Sequence, residues 1–216
     1  YIIRALLGQN GVEWAAFFNR DTLVSNAKSS ATREALEYYV SFERNGWSAW
    51  TGNWNQFAAG NTAIVPAGQF SDVQGWRTSH PMNAEDARAA LPLMQVRRAA
   101  PMPVDKWSIS RTTPDPDLAV KYLLFLSSRD NLGRYLSALG SVPARRSLGR
   151  LEYVRKDREA QVFVESLAYG MPLPRSIYVE KVASALGKVG SDMLYDKAPF
   201  DIAVEEMLVA IQALGI

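Results

Sequence analysis

Residues 54–70 read WNQFAAGNTAIVPAGQF and carry more information about the fold than any other stretch of the chain. The compact apolar run Ala63-Ile64-Val65 precedes Pro66-Ala67-Gly68, a pattern that predicts a short buried strand leading into a turn. Phe70 follows that turn, and a helix is expected to begin near Ser71. The stretch therefore predicts a strand, a turn and a helix, with an aromatic ring at the strand end.

Helical periodicity dominates on both sides of this stretch. Upstream, Ser29 or Ser30 is expected to cap a helix that ends at Asn45-Gly46. Downstream, Pro114-Asp115-Pro116 opens a helix, and Asp130 opens another that stops at Gly140. Three further apolar registers predict amphipathic helices: Ala160/Phe163/Val164/Leu167, Val179/Val182/Ala183/Leu186 and Ala203/Met207/Ala210/Ile211/Leu214.

Strands are expected to be few and short. Phe17-Phe18 and Leu23-Val24 flank a polar quartet, residues 19–22, and predict two strands joined by a turn. Residues 104–111 predict another strand, with Trp107 and Ile109 on one face. Many helices with a few strands indicate the α/β class, in which ligands bind beyond the strand ends.

Composition excludes several classes of function. The 216 residues are enough to bury a core, and 24 basic side chains nearly cancel 22 acidic ones, which leaves no electrostatic footprint for nucleic acid. Cysteine is absent and His80 is the single histidine, so we expect no metal site, no cofactor and no catalytic residue. No apolar run approaches the roughly 20 residues that a membrane span requires.

The first residues have no leader character. Tyr1 to Leu7 contain neither a basic segment nor a small-residue cleavage site, and they read as the middle of a helix that ends at Asn10-Gly11. We therefore expect the sequence to begin inside a longer protein.

Several segments, taken in order, match the motifs of one family. Residues 29–40 (SSATREALEYYV) match its N-S-P-E-A-x-E-A-L-x-F-Y helix start, and residues 54–64 match its W-x-x-F-x-x-G-K-A-A-M segment, with Asn61 in place of Lys. Further matches are DKWSIS (105–110) and PDPDLA (114–119) with a G-G-W-x-x-x-I strand and the helix start after it, LLFLSSRD (123–130) with F-L-x-F-L-x-S-x-E, and GSVPARR (140–146) with G-x-x-P-A-R-x-S. On these motifs the chain resembles the solute-binding proteins of ABC importers, the family that includes the maltose-binding and other sugar-binding proteins.

The resemblance implies a two-lobed fold of which this chain is the carboxy-terminal two-thirds. Residues 1–102 and 144–216 would form the carboxy-terminal lobe, helix-rich with a short-stranded sheet. Residues 103–143 would cross over to an amino-terminal lobe, most of which the chain lacks. The stripe Ala119/Tyr122/Leu123/Leu126 would then lack its partner and form an exposed apolar patch.

Aromatic rings are the first candidates for ligand contacts, because a sugar presents flat C–H faces ringed by hydroxyls. Phe70 matches the position where the family places a stacking aromatic, and Trp107 lies on the segment that would line the cleft. Trp50 and Trp54 lie in a loop rich in Gly and Asn, where bulky rings are hard to bury. For Phe70 and Trp107 the alternative is an ordinary place in the core.

Polar candidates are Gln69 beside Phe70, Asp105, and Arg175 in a Pro-rich loop. Planar polar groups of this kind can make paired hydrogen bonds to sugar hydroxyls. Asp105-Lys106 replaces the Gly-Gly of the family, so side chains there could reshape the pocket. The alternative for Arg175 is a solvated surface residue.

The function implied by the resemblance is capture of a sugar or oligosaccharide by hinge closure, followed by delivery to the membrane subunits of an ABC permease. It implies a non-enzymatic protein that is monomeric when full length and periplasmic or extracellular, a setting compatible with a lipoprotein anchor. One alternative is a carbohydrate-active enzyme, which would need two carboxylates about 5–9 Å apart across a cleft. Another is a ligand-sensing adaptor domain that uses the same fold.

Overall fold

The computed structural model describes residues 2–47, 56–57, 59–65, 68–79, 88–104, 106–143 and 145–215. The chain is helix-rich with a short sheet, as the sequence predicts. The helices are α1 (Ile2–Gln9), α2 (Arg20–Ala27), α3 (Ser30–Arg44), α4 (Phe70–Ser79), α5 (Pro116–Leu126), α6 (Arg129–Leu139), α7 (Glu152–Lys156), α8 (Arg158–Ser166), α9 (Val179–Leu194) and α10 (Phe200–Gln212); the strands are β1 (Ala100–Met102) and β2 (Gly170–Pro172). Short 3-10 turns lie at Trp14–Phe18, Arg146–Leu148 and Leu167–Tyr169.

The chain divides into two compact units. Unit 1 comprises residues 1–67, 92–103 and 169–216, and unit 2 comprises residues 68–91 and 104–168. The lobe boundaries expected from the family, residues 1–102 with 144–216 and residues 103–143, stay a prediction. No helix among the described residues is long and apolar enough to cross a membrane.

The core of unit 1 lies between α1, α3, α9 and α10. Leu7, Leu36, Leu186 and Ile211, one from each helix, are at most 1% exposed. The buried positions of α9 and α10 recur at three- and four-residue intervals, as their amphipathic patterns predict, although Ala210 of the predicted α10 register is exposed. Burial of such a side chain contributes roughly 1.5–3 kcal/mol to folding, so this cluster is the main source of stability in unit 1.

Helix α3 begins and ends where its sequence predicts. The hydroxyl of Ser29 accepts a hydrogen bond from the backbone N–H of Thr32 at 3.1 Å, which caps the first turn. Its capping residue at the other end is Asn45. The apolar positions Ala35, Leu36 and Val40 are buried in the core of unit 1.

The predicted hairpin at residues 17–24 is wrong. Residues 14–18 form a 3-10 turn and α2 starts directly after Asn19, whose side chain accepts from the N–H of Asp21 at 2.9 Å. The hydroxyl of Thr22 donates to the carbonyl of Ala16 at 3.0 Å. These side-chain bonds make the polar quartet a helix start, because short polar side chains compete for backbone groups at helix ends as well as in turns.

The other two predicted strands are also absent. Residues 63–65 form no strand and Ile64 is 73% exposed, so the run is not buried. Residues 106–110 are irregular rather than extended in a sheet, although Trp107 and Ile109 are indeed both exposed. In both segments the apolar residues indicated a strand, but a strand also needs a neighbouring strand to bond with, and no described strand pairs with either.

The sheet of unit 1 is small and is fixed to α1. Strands β1 and β2 are parallel, with Ala100 opposite Gly170 and Met102 opposite Pro172. A Cβ added to Gly8 would lie 2.2 Å from the sulfur of Met171, so any larger residue here would require the Met171 side chain to move. The side chain of Gln9 is buried and donates to the carbonyl of Ala99 at 3.0 Å.

The small core of unit 2 includes Phe70, Val154 and Ala160. Next to it, Asp157 accepts from the guanidinium of Arg77 at 2.6 Å and caps α8. Glu159, 2% exposed, accepts from the backbone N–H of Ala89 at 2.6 Å. A buried carboxylate needs such partners, and this network ties α4 and the segment around Ala89 to α8.

Helix α6 ends at Gly140, as the sequence predicts. This glycine has φ +60°, a backbone conformation that residues with a Cβ rarely adopt. An added Cβ would also lie 1.7 Å from the side-chain oxygen of Gln74, because α4 packs closely against this corner. The backbone conformation therefore favours glycine here, and a larger residue would also require the Gln74 side chain to move.

The sequence correctly predicts helix α5, but no residue of this helix is buried. Asp115 caps it by accepting from the N–H of Leu118 at 2.9 Å. Within the expected stripe Tyr122 is 59% exposed, whereas the three other members are half-buried. Its most exposed large side chains, called below the apolar surface of α5, are Leu118, Val120, Tyr122, Leu124 and Phe125.

Candidate ligand-binding site

Trp107 is the candidate that the structure leaves open to solvent. It lies in the irregular segment before α5 and is 44% exposed. Its ring packs edge-on against Tyr135 of α6, with the ring centroids 6.1 Å apart and the planes at 69°. Because Tyr135 is itself 50% exposed, the two rings form an aromatic pair that water reaches. Such a pair can stack on the C–H face of a sugar.

Tyr135 was missed as a candidate because its spacing with Leu132, Leu136 and Leu139 assigned it to the apolar stripe of α6. Leu136 is buried, whereas Tyr135 lies at the edge of that stripe. The phenol hydroxyl was the available signal, since a tyrosine usually keeps its hydroxyl hydrogen-bonded or in water.

Phe70 is buried at the start of α4. It is 1% exposed, and its ring centroid lies 5.9 Å from that of Phe163 in α8. In this conformation the ring helps to form the core of unit 2 and presents no open face to a solute. The alternative role stated for Phe70, a core residue under a helix, therefore describes its position, and a contact with ligand stays a prediction.

Gln69 lies exposed beside it. Its backbone N–H donates to the carboxylate of Asp72 at 2.7 Å, which helps to fix the first turn of α4. Gln69 and Trp107 both belong to unit 2. The described contacts pair Trp107 with Tyr135 rather than with Gln69 or Phe70.

Three of the remaining candidates, Trp50, Trp54 and Asp105, lie outside the described residues. The neighbouring Trp47 is described and is 67% exposed, with its ring edge-on to Phe42 of α3 at 6.1 Å between centroids. Trp47 therefore covers the end of α3, the structural role that its position suggests.

Arg175 belongs to unit 1 and lies exposed in the loop after β2. Within the described ranges its guanidinium has no carboxylate partner at ion-pair distance. This position is compatible with a contact to a polar solute and equally with a solvated surface residue.

Asp157 and Glu159 are two acidic side chains at the start of α8, and both have basic or backbone partners. Asp157 pairs with Arg77, and Glu159 is buried with Arg77 3.8 Å away. Among the described residues, no group of three His, Asp or Glu side chains could hold a metal ion.

The shifted pKa values in the described part of the chain belong to Tyr39, Tyr153 and Lys188. Burial, and next the charge of Glu43, raise the pKa of Tyr39 to about 12. Burial likewise raises the pKa of Tyr153. Hydrogen bonds to Asp192 and Glu206 raise the pKa of Lys188 to about 12. All three shifts move the pKa away from neutrality, in the direction opposite to that of a general base.

Comparison with known proteins places the chain in one family. The family model described as bacterial extracellular solute-binding protein matches residues 7–161. No curated protein sequence matches the chain significantly.

Two solved structures are similar in fold. The sugar-binding protein MalE from Xanthomonas citri matches with a TM-score of 0.74 and 21% identity, over 87% of this chain and 50% of that one. The maltose-maltodextrin binding protein of Alicyclobacillus acidocaldarius matches with a TM-score of 0.65 and 18% identity, over 98% of this chain and 59% of that one. The likeness confirms the expected fold class, and the chain spans between half and three-fifths of the length of these proteins.

Proposed function

Because the chain belongs to the family of bacterial extracellular solute-binding proteins, we propose that it is part of a receptor that captures a sugar or oligosaccharide. The receptor works in the periplasm or outside the cell and delivers its solute to an ABC importer. It performs no chemistry, and its cycle is an equilibrium between open and closed arrangements of two lobes, which the solute shifts toward the closed one.

The observation that carries the sugar proposal is the exposed aromatic pair of Trp107 and Tyr135. The indole ring of Trp107 packs against one neighbour and is otherwise in water. It therefore gains less free energy from burial than a core residue does. A bound sugar ring would restore that benefit by covering the aromatic surface with C–H groups. The two solved proteins of similar fold are described as sugar-binding and maltose-maltodextrin binding, which supports the same class of solute.

Polar side chains would set the orientation of the solute. Gln69 is exposed in the same unit and carries an amide that can both donate and accept. We assign polar contacts to Gln69, Asp105 and Arg175, and further ring contacts to Trp50 and Trp54. A contact of Phe70 with the solute remains part of the proposal, although in the described conformation its ring is buried at the start of α4, beside Gln69.

We further propose that residues 103–143 pack on an amino-terminal lobe that this chain lacks, while residues 1–102 and 144–216 form the carboxy-terminal lobe. The support is the apolar surface of α5, which is 46–66% exposed in its five side chains. Lys121 is the one charged residue among residues 118–126, and a helix with apolar side chains on most of its faces is normally buried. The similar solved proteins contain about as much chain again as this one spans, enough for such a lobe.

The test is isothermal calorimetry of the protein that includes both lobes, titrated with a panel of mono- and oligosaccharides. At least one member of the panel should bind. Trp107→Ala should then weaken binding roughly tenfold or more, the cost of removing an aromatic anchor. Trp47→Ala is the matched control, because Trp47 is also exposed but packs on α3.

Two results would contradict the proposal. The first is absence of binding to every sugar in the panel. The second is an equal effect of Trp107→Ala and Trp47→Ala on affinity. Delivery to an importer is tested separately: the loaded protein should stimulate ATP hydrolysis by the reconstituted permease.

A further inference from the structure

Residues 145–158 have an apolar inner side and a cationic outer side. The segment contains the 3-10 turn at 146–148, helix α7 and the first residue of α8. Leu148 and Val154 are 2% exposed, and Leu151 packs on the small core of unit 2. Five exposed side chains lie on the outer side and are called here the arginine cluster: Arg145, Arg146, Arg150, Arg155 and Arg158.

The cluster has a local excess of positive charge. The segment carries these five arginines and Lys156 against Glu152 and Asp157, a formal charge of +4 in a chain whose total is +2. Both acids are already engaged, Glu152 with Lys156 at 2.5 Å and Asp157 with Arg77 at 2.6 Å. Within the described residues, no arginine of the cluster lies at ion-pair distance from a carboxylate.

Guanidinium groups close together in sequence repel one another, so an anionic partner would stabilise them. The guanidinium plane forms paired hydrogen bonds with phosphate, which makes arginine the preferred side chain for that group. Because the five arginines are distributed over residues 145–158, a surface that presents several phosphates matches them better than one small anion does.

The choice between a protein partner and a lipid surface follows from the apolar residues of the segment. A stable protein interface needs aromatic or aliphatic anchors at its centre. In residues 145–158 such side chains turn inward, and even the hydroxyl of Tyr153 is engaged with the carbonyl of Ser141. The exposed side thus offers charge without an apolar anchor, which suits a plane of lipid headgroups.

We propose that the arginine cluster is a docking surface for the anionic lipid headgroups of a membrane. Docking of this kind is weak and reversible, and it holds the receptor near the membrane in which an importer would lie. It depends on neither the identity of the solute nor the aromatic pair.

The experiment measures co-sedimentation of the protein with vesicles of phosphatidylcholine, with and without about one-third phosphatidylglycerol. Binding should require the anionic lipid and fall steeply as salt is added, because salt screens exposed charges. A basic residue near an anionic surface contributes about 1 kcal/mol, roughly fivefold in affinity, so the triple variant Arg145→Gln, Arg146→Gln and Arg150→Gln should bind roughly 100-fold more weakly.

The matched control removes the same charge elsewhere. Arg20→Gln, Lys181→Gln and Lys197→Gln alter three exposed cations of unit 1 and should lower vesicle binding by less than about fivefold, because only long-range attraction is lost. Urea midpoints confirm that both triple variants fold. If the cluster triple does not fold, the single variants Arg150→Gln and Arg155→Gln take its place, each with an expected loss of about fivefold.

Several results would overturn the proposal: equal losses in the two triple variants, equal binding to vesicles with and without phosphatidylglycerol, or no vesicle binding. Displacement by inorganic phosphate at constant ionic strength would indicate a small-anion site instead, and binding to detergent-solubilised permease without binding to vesicles would indicate a protein partner. Calorimetry with sugar on the same variants keeps the two proposals separable, since docking variants should leave solute affinity unchanged.

Discussion

Helices α5 and α10 are alike in sequence and differ in what surrounds them. Both are rich in large aliphatic side chains, and both begin at a proline-containing turn. Helix α10 buries six residues in the core of unit 1: Phe200, Ala203, Val204, Met207, Leu208 and Ile211. Helix α5 buries none in unit 2.

The apolar residues of a helix thus indicate that it needs a partner surface, but they do not show whether the same chain supplies one. The partners of α10, mainly α9, lie within this chain. An apolar helix without such partners exposes surface that soluble monomers rarely leave uncovered. For α5 the expected partner is the amino-terminal lobe of a solute-binding protein.

The largest expected effect comes from the same substitution made in both helices. Leu208 is 3% exposed and Leu124 is 66% exposed. Leu208→Ala should lower the free energy of unfolding by about 2–5 kcal/mol, because it removes buried contacts and leaves a cavity. Leu124→Ala should change it by less than about 0.5 kcal/mol, since surface substitutions cost little and alanine favours helix. Urea unfolding followed by circular dichroism measures both, and equal costs would break the comparison.

An intermediate effect is expected on dye binding. Fluorescent dyes such as ANS bind exposed apolar surface, so Leu118→Gln with Phe125→Gln should lower the dye signal of the 216-residue chain severalfold. Val209 of α10 is also exposed, at 67%, but is an isolated apolar side chain there, and Val209→Gln is the control with little expected change. A drop of the same size in the control would show that the dye does not report on α5.

The smallest expected effect is a change in the pH dependence of stability, which arises from the phenol of Tyr39 in unit 1. Burial raises the pKa of Tyr39 to about 12 from its usual 10.0. Since the ionised form is favoured in the unfolded chain, the contribution of Tyr39 to stability is complete below pH 10 and is lost as pH rises toward about 12. Urea midpoints measured across this window should fall less in Tyr39→Phe than in the unsubstituted chain. An identical decline in both would contradict the burial of the phenol.

Much of the helical part of the fold could be predicted because its signals are local. Ser29, Asp115 and Gly140 each mark a helix end through their own side chain or backbone conformation. The five-residue helix α7 was not predicted, since a stretch that short carries little periodicity. Strands were predicted poorly because their bonds are made with distant segments: residues 63–65 have the composition of a strand and form none.

The sequence could predict which types of residue form the candidate site, but not which of them are exposed. Trp107 and Phe70 carried the same expectation, yet one is 44% exposed and the other 1%. Phe70 is buried because Phe163 packs on it. Such a contact between distant residues cannot be predicted from the local sequence pattern. Tyr135 could not be predicted as a site residue either, because its ring contact is with Trp107, 28 positions earlier in the chain.

If α5 packs against an amino-terminal lobe, that lobe protects the amides of α5, and hydrogen exchange measures this protection. Amide exchange should be compared between the 216-residue chain and the protein that contains both lobes. We predict that the amides of α5 exchange much more slowly in the longer protein while those of α10 are unchanged, because only α5 gains a partner. Equal exchange of α5 in both proteins would contradict this packing.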